Sequence, residues 1–201
     1  MPDAPNSLMT FAEHTHCVYN AIWFPHRADV IASASGDRSV RIWDVKQPRS
    51  IQSFIAHDAE VLSLDWNKYR ENEIATASVD KTIRVQNHPF PRQLTTNDYY
   101  PKNQLWDLRM PNRVMLTLAG HRYAIRRLKY SPHKGNILGT VSYDMTACIW
   151  NIDNANDPLV FMYDRHTEFA CGIDFNLYVP GQVATTSWDE TTHFLQIPNI
   201  A

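Results

Sequence analysis

Cysteine is scarce: Cys17, Cys148 and Cys171 are the only three among 201 residues. They form no CxxC pair and no even-numbered framework, so neither a disulfide scaffold nor a thiolate metal site is indicated. They read as small buried hydrophobes in a chain suited to a reducing compartment. A dominant charge is missing too. The formal net charge of −2 gives no basic field for nucleic acid or an anionic membrane. No apolar run approaches the ~20 residues needed to span a bilayer. The opening MPDAPNSLMTF has neither a basic n-region nor a long apolar stretch, so no secretory signal is expected. P-loop, GxGxxG and GxSxG patterns are absent. What remains, 44% hydrophobic and 20% charged residues, is ordinary for a globular protein with a sizeable core.

The positive signal is repetition. Val30 to Asp44, VIASASGDRSVRIWD, reads as strand, tight turn, strand. The same pattern returns in IATASVDKTI from Ile74, ILGTVSYDMTACIW from Ile137 and VATTSWDETTHF from Val183, with turn aspartates Asp37, Asp80, Asp144 and Asp189. A histidine precedes each by 23 residues: His14, His57, His121 and His166. An aromatic stands nine after each histidine: Trp23, Trp66, Tyr130 and Phe175. A hydroxyl stands four before each aspartate (Ser33, Thr76, Thr140, Thr185) and another two before (Ser35, Ser78, Ser142, Ser187). A period of 40–45 residues with Trp-Asp endings marks the WD-repeat β-propeller. The expected fold is therefore all-β: one propeller domain over 1–201, with about four blades near 11–55, 56–118, 119–163 and 164–197.

Two irregularities interrupt the pattern. Tryptophan follows the turn aspartate by six in repeats one and three, as Trp43 and Trp150, but Gln86 and Leu195 hold that place in repeats two and four. A displaced Trp106-Asp107 lies 20 residues beyond Gln86, which suggests that 86–105 is inserted into a strand. The other irregularity is the count, since propellers have roughly four to eight blades. Leu8–Phe11 is a candidate strand that completes the fourth blade; the alternative is part of a larger ring with exposed strand edges.

A histidine, a hydroxyl and an aspartate in one repeat resemble a hydrolase triad. A catalytic set occurs once, however, and this one occurs four times. The better reading is a structural network in each blade, in which aspartate accepts from histidine while the hydroxyl and indole extend the chain of hydrogen bonds. Which of the two repeated hydroxyls takes part stays open. No catalytic residue is expected. No metal or cofactor is expected either, because His16, His26, His88, His133 and His193 lack HExxH or finger spacing. Arg126, Arg127 and Lys129 form a short basic run, read as a solvated face or as partners for acidic neighbours rather than a phosphate site.

The segments HDAEVLSLDWNKY, GHRYAIRRLKYSPH, SYDMTACIWN, HTEFACGIDF and SWDET closely resemble the receptor family for the type-2 peroxisomal targeting signal. The likeness covers about 11–85 and 106–192 and fails over the insert and both ends. It implies a larger ring of which this chain matches the carboxyl-terminal part. It also implies a non-enzymatic receptor that shuttles between cytosol and peroxisome. Such a receptor takes an amino-terminal helical signal bearing an Arg and aliphatic residues, works with a co-receptor, meets docking machinery at the peroxisomal membrane and binds no nucleic acid. A helix of this kind needs a groove with an apolar stripe and an acidic spot. Candidates at the end carrying the His loops and Asp turns are Glu60, Tyr123, Tyr143, Glu168, Phe169 and Trp188. The alternative is a substrate adaptor of a cullin-type ubiquitin ligase, suggested by the short box Trp106-Asp107-Leu108-Arg109.

Overall fold

The computed structural model describes residues 8–87, 114–198 and 200. Fifteen strands lie among them. β1 (Val18–Trp23), β2 (Val30–Ser35), β3 (Ser39–Asp44) and β4 (Ser50–Ile55) form the first sheet. β5 (Val61–Trp66), β6 (Glu73–Ser78), β7 (Thr82–Asn87) and β8 (Val114–Ala119) form the second. β9 (Ile125–Tyr130), β10 (Ile137–Ser142), β11 (Ala147–Asn151) and β12 (Leu159–Tyr163) form the third. The fourth has three strands, β13 (Ala170–Phe175), β14 (Gln182–Ser187) and β15 (Thr192–Gln196). Every sheet is an antiparallel meander, and the first strand of each packs against the first strand of the next. The core lies between neighbouring sheets. Ile42, Leu64 and Trp66 fill the first seam, Leu128, Leu138 and Trp150 the second, and Ile149, Ile173 and Phe175 the third.

The turn between the second and third strands of each sheet explains the sequence period. The residue after each turn aspartate has a left-handed backbone: Arg38 (φ 71°), Lys81 (φ 69°), Met145 (φ 69°) and Glu190 (φ 65°). That conformation disfavours side chains other than glycine. The aspartate holds it in place. In the third sheet, Asp144 Oδ2 accepts from His121 Nδ1 at 3.0 Å and from the Arg122 amide at 2.7 Å. Its Oδ1 accepts from the Thr146 amide at 3.1 Å and the Thr146 hydroxyl at 2.6 Å. The Thr140 hydroxyl lies 2.8 Å from His121 Nε2 and accepts the Trp150 indole N–H at 2.8 Å. The network assigns the tautomer: Nδ1–H donates to aspartate, leaving Nε2 to accept from threonine.

The first sheet repeats this with His14, Ser33, Asp37 and Trp43. The second uses His57, Thr76 and Asp80, and the fourth His166, Thr185 and Asp189, both without an indole among the described residues. The hydroxyl four before the aspartate therefore joins the histidine. The one two before serves the backbone instead, as Ser35, Ser142 and Ser187 donate to the carbonyls of His16, Tyr123 and Glu168. The structure adds a third hydroxyl, two after the aspartate. Ser39, Thr82, Thr146 and Thr191 each donate to the carboxylate at 2.5–2.6 Å.

Polar bolts cross the seams. Asn20 Nδ2 reaches Ser63 Oγ and the Leu64 carbonyl. Between the second and third sheets, Asn67 Nδ2 donates to Glu73 Oε1 at 2.6 Å and to the Gly135 carbonyl at 2.7 Å, while the Tyr130 hydroxyl donates to the same Glu73 oxygen at 3.0 Å. Burial pushes the Tyr130 phenol well above its ordinary range, so it stays a donor. Asp65 Oδ2 accepts the Tyr130 amide at 2.8 Å. At the third seam Gly139 lets the sheets close: a Cβ there would stand 2.8 Å from Ile173 Cδ1 and 3.0 Å from Phe175.

Several expectations need correction, one being the burial of the cysteines: Cys17 is exposed and Cys171 half-buried. Leu8–Phe11 forms no strand, and Phe11 stacks on Trp43 of the first sheet with ring centroids 4.6 Å apart. It therefore does not complete the fourth sheet, whose last strand leaves Phe194 76% exposed. Nor do the described residues close a ring. They form an open series of four sheets, and β1 leaves Val18 and Trp23 exposed. Gln86 and Asn87, the first two residues of the expected insert, continue β7, and Gln86 pairs with Val114. The rest of 86–105, and Trp106, lie outside the described residues.

Asp144→Ala strands His121, Thr146 and an amide. It should cost on the order of 2–3 kcal/mol in urea unfolding, whereas loss of the exposed carboxylate in Glu71→Ala should stay within about 0.5 kcal/mol. Gly139→Ala should destabilise by about 1–3 kcal/mol through overpacking of the third seam. Burial raises the Asp144 carboxyl, but hydrogen bonds from His121 and Thr146 outweigh it and hold the group well below the usual range. Asp37 and Asp80 follow the same logic, and at Asp189 the Thr191 hydroxyl is the leading cause. A depressed carboxyl stabilises the fold above the unfolded value of about 4 and loses that contribution as pH falls toward the folded value. Urea midpoints should therefore drop as pH falls below about 4, less steeply in Asp144→Asn.

Candidate functional site

The left-handed turns and the loops following the repeat histidines share one end of every sheet. The same polar network fixes both. In the fourth sheet, the Thr167 amide donates to Asp189 while the Trp188 amide donates to the Phe169 carbonyl at 3.1 Å. In the third, the Tyr143 amide donates to the Ala124 carbonyl at 3.1 Å. In both sheets the residue before the aspartate is thereby clipped to the loop after the histidine.

This brings three of the six candidates together. The rings of Tyr143 and Phe169 lie 5.0 Å apart, those of Phe169 and Trp188 5.2 Å, and those of Tyr143 and Trp188 6.1 Å, all tilted. The cluster spans two sheets, with Tyr143 from the third and the other two from the fourth. Trp188 is 61% exposed, although an indole of its size ordinarily buries most of its surface. Glu168, beside Phe169, is exposed, and its backbone carbonyl accepts from Ser187. Tyr123 is also exposed and makes no ring contact among the described residues. Glu60 stands on the second sheet, half-buried, its carbonyl accepting the Val79 amide. Neither Tyr123 nor Glu60 belongs to the aromatic cluster. The end thus offers an aromatic cluster with one exposed indole and two half-buried rings, the exposed Glu168 next to Phe169 in the chain, and a second carboxylate two sheets away.

Each histidine–hydroxyl pair has the distances of a nucleophile and base, yet Thr76, Thr140 and Thr185 are completely buried and out of reach of a substrate. Cys148 is buried as well, which pushes its thiol up to about 12 and keeps it protonated. Among the described residues, no three His, Cys, Asp or Glu side chains are grouped to hold a metal. The Trp106-Asp107-Leu108-Arg109 box lies outside the described residues.

Comparison with known proteins agrees with the repeat architecture. The WD domain, G-beta repeat model matches residues 5–44, 48–87 and 112–151. The mouse peroxisomal targeting signal 2 receptor is 51% identical over 74 residues, 37% of this chain and 23% of that protein. The Arabidopsis thaliana peroxisome biogenesis protein 7 is 45% identical over 82 residues, 41% of this chain and 26% of that protein. The Saccharomyces cerevisiae peroxisomal targeting signal 2 receptor is 30% identical over 217 residues, covering 91% of this chain and 53% of that protein. The chain thus spans from about a quarter to about half the length of these relatives and is homologous to their family.

A double-mutant cycle on Phe169→Ala and Trp188→Ala, read by urea unfolding, should give a coupling of about 0.5–1.5 kcal/mol, the usual worth of an aromatic pair. The same cycle on Tyr123 and Trp188 should give none.

Proposed function

The chain belongs to the WD-repeat family, and from that premise we propose that it is part of a type-2 targeting-signal receptor. The receptor binds the amino-terminal signal helix of peroxisomal matrix proteins and, with a co-receptor, brings them to docking machinery at the peroxisomal membrane. It does no chemistry on its cargo and moves between cytosol and peroxisome. The observation that carries the reading is the 51% identity to a protein named for that signal, over a stretch longer than one repeat. The loop end supports it independently. A helix with an Arg and aliphatic residues on one side needs an apolar platform and a carboxylate. Tyr143, Phe169 and Trp188 provide the platform, and Glu168 stands beside it. Glu60 provides a second carboxylate, and Tyr123 extends the exposed aromatic surface.

The test is fluorescence anisotropy of a labelled signal peptide, with co-receptor present, against the same peptide with its Arg replaced. The unaltered peptide should bind more tightly. Truncating one partner of a partly desolvated charge pair costs roughly 2–5 kcal/mol, so Glu168→Gln should weaken binding about tenfold or more. Trp188→Ala should weaken it for both peptides, because it removes an aromatic anchor rather than the charge partner. Equal binding of the two peptides would sink the receptor assignment.

A further inference from the structure

A cavity of about 390 Å³ opens between the third and fourth sheets. One wall is β9, which contributes Arg126, Arg127 and Lys129. The facing wall is β13 and β14, which contribute Cys171, Gly172 and Thr186. All three cations are half-buried. Elsewhere in the fold, partly buried arginines are paired with carboxylates: Arg41 with Glu13, Arg70 with Asp153 and Arg84 with Asp58. Arg126 and Arg127 make no ion pair or side-chain hydrogen bond among the described residues, whereas Lys129 acts on the Asp65 carboxylate of the second sheet. Among the described residues Asp174 is the one carboxylate lining the cavity, and it is exposed, with Oδ1 already accepting the Phe175 amide at 3.0 Å. The lining therefore carries three positive charges against one negative.

The opposite wall is mixed: Ile173 and Ala184 are apolar, while Cys171 and Thr186 bring polar atoms. Cys171 Sγ and Thr186 Oγ1 lie 3.6 Å apart. Any side chain at position 172 would run into Thr186, so glycine keeps that wall clear. Half-buried guanidinium groups without partners are costly to leave unpaired and are suited to planar, bidentate recognition of carboxylate or phosphate. The volume falls within the range of small-ligand pockets. The basic run is thus not a plain solvated face, as its sequence suggests, nor are its two arginines taken up by acidic neighbours.

We propose that this cavity is an anion-binding site, taking a phosphate or carboxylate group on Arg126, Arg127 and Lys129, with the Thr186 hydroxyl as a further donor. None of its lining residues belongs to the aromatic cluster, and the proposal does not depend on the identity of the cargo.

Cys171 makes the proposal measurable, because it lines the cavity. In a Cys17→Ser protein, with Cys148 buried, Cys171 is the accessible thiol. Its alkylation rates with anionic iodoacetate and neutral iodoacetamide are compared with those of Cys17 in a Cys171→Ser protein. A cleft of one charge sign concentrates counter-ions, so the iodoacetate-to-iodoacetamide ratio should be about fivefold or more higher at Cys171. Inorganic phosphate should suppress the excess. Arg127→Gln with Lys129→Gln should remove it, while Arg165→Gln, an exposed position, should leave it. If the double variant does not fold, phosphate competition in the parent protein decides. A hexaglutamate peptide that competes below the phosphate concentration needed would identify a protein-borne carboxylate as the ligand source; competition by phosphate alone would identify a free anion. Equal ratios at the two cysteines, or an excess that neither anion suppresses, would overturn the proposal.

Discussion

Everything at the loop end of this protein hangs on a carboxylate that accepts four hydrogen bonds. Each turn aspartate takes an imidazole, a hydroxyl and two backbone amides, as Asp144 does. Removing one of these acceptors would leave an imidazole, a hydroxyl and two amides without it, the imidazole being buried in three of the four sheets. It stabilises a left-handed residue the backbone otherwise disfavours, and so fixes where the next strand begins. Through the histidine it reaches 23 residues back and sets the preceding loop. One acidic group thereby positions both segments that form the exposed end.

The seams between sheets follow different physics. Sheet interiors repeat because the same network must be rebuilt each time. Seams need only fill space and satisfy whatever polar groups they bury, so they vary. The first uses Asn20, the second Asn67, Glu73 and Tyr130, and the third a glycine facing Ile173 and Phe175. The platform of Tyr143, Phe169 and Trp188 belongs to this variable part, since it crosses from one sheet to the next.

That difference explains what is legible in the sequence. The turn aspartates, their histidines and most strands can be read because fixed spacing is a linear property. The third hydroxyl, at Ser39, Thr82, Thr146 and Thr191, is equally regular, and its spacing is the signal that could have found it. β8 is not legible because the period breaks at Gln86, and its pairing with β7 depends on contacts across a long stretch of chain. Leu8–Phe11 has a strand-like composition, yet stacking of Phe11 on Trp43 competes with pairing and prevails. Of the six candidate site residues, Tyr143, Phe169 and Trp188 meet. Tyr123 and Glu60 do not join them, because position relative to a repeat histidine says which end a residue occupies but not which neighbour it faces. The cavity on β9 is hidden for the same reason, as its second wall comes from the following repeat.

The four left-handed residues that follow the turn aspartates, Arg38, Lys81, Met145 and Glu190, are all exposed and include two cations, a thioether and an anion. Their conformational penalty, about 1–2 kcal/mol each, arises from the backbone and Cβ alone. It is the same for a cation, a thioether or an anion. Among side chains not branched at Cβ, selection can therefore rewrite the charge of these four positions with little effect on stability. The rim of the loop end is a surface on which partner preference can drift while the scaffold beneath stays constant.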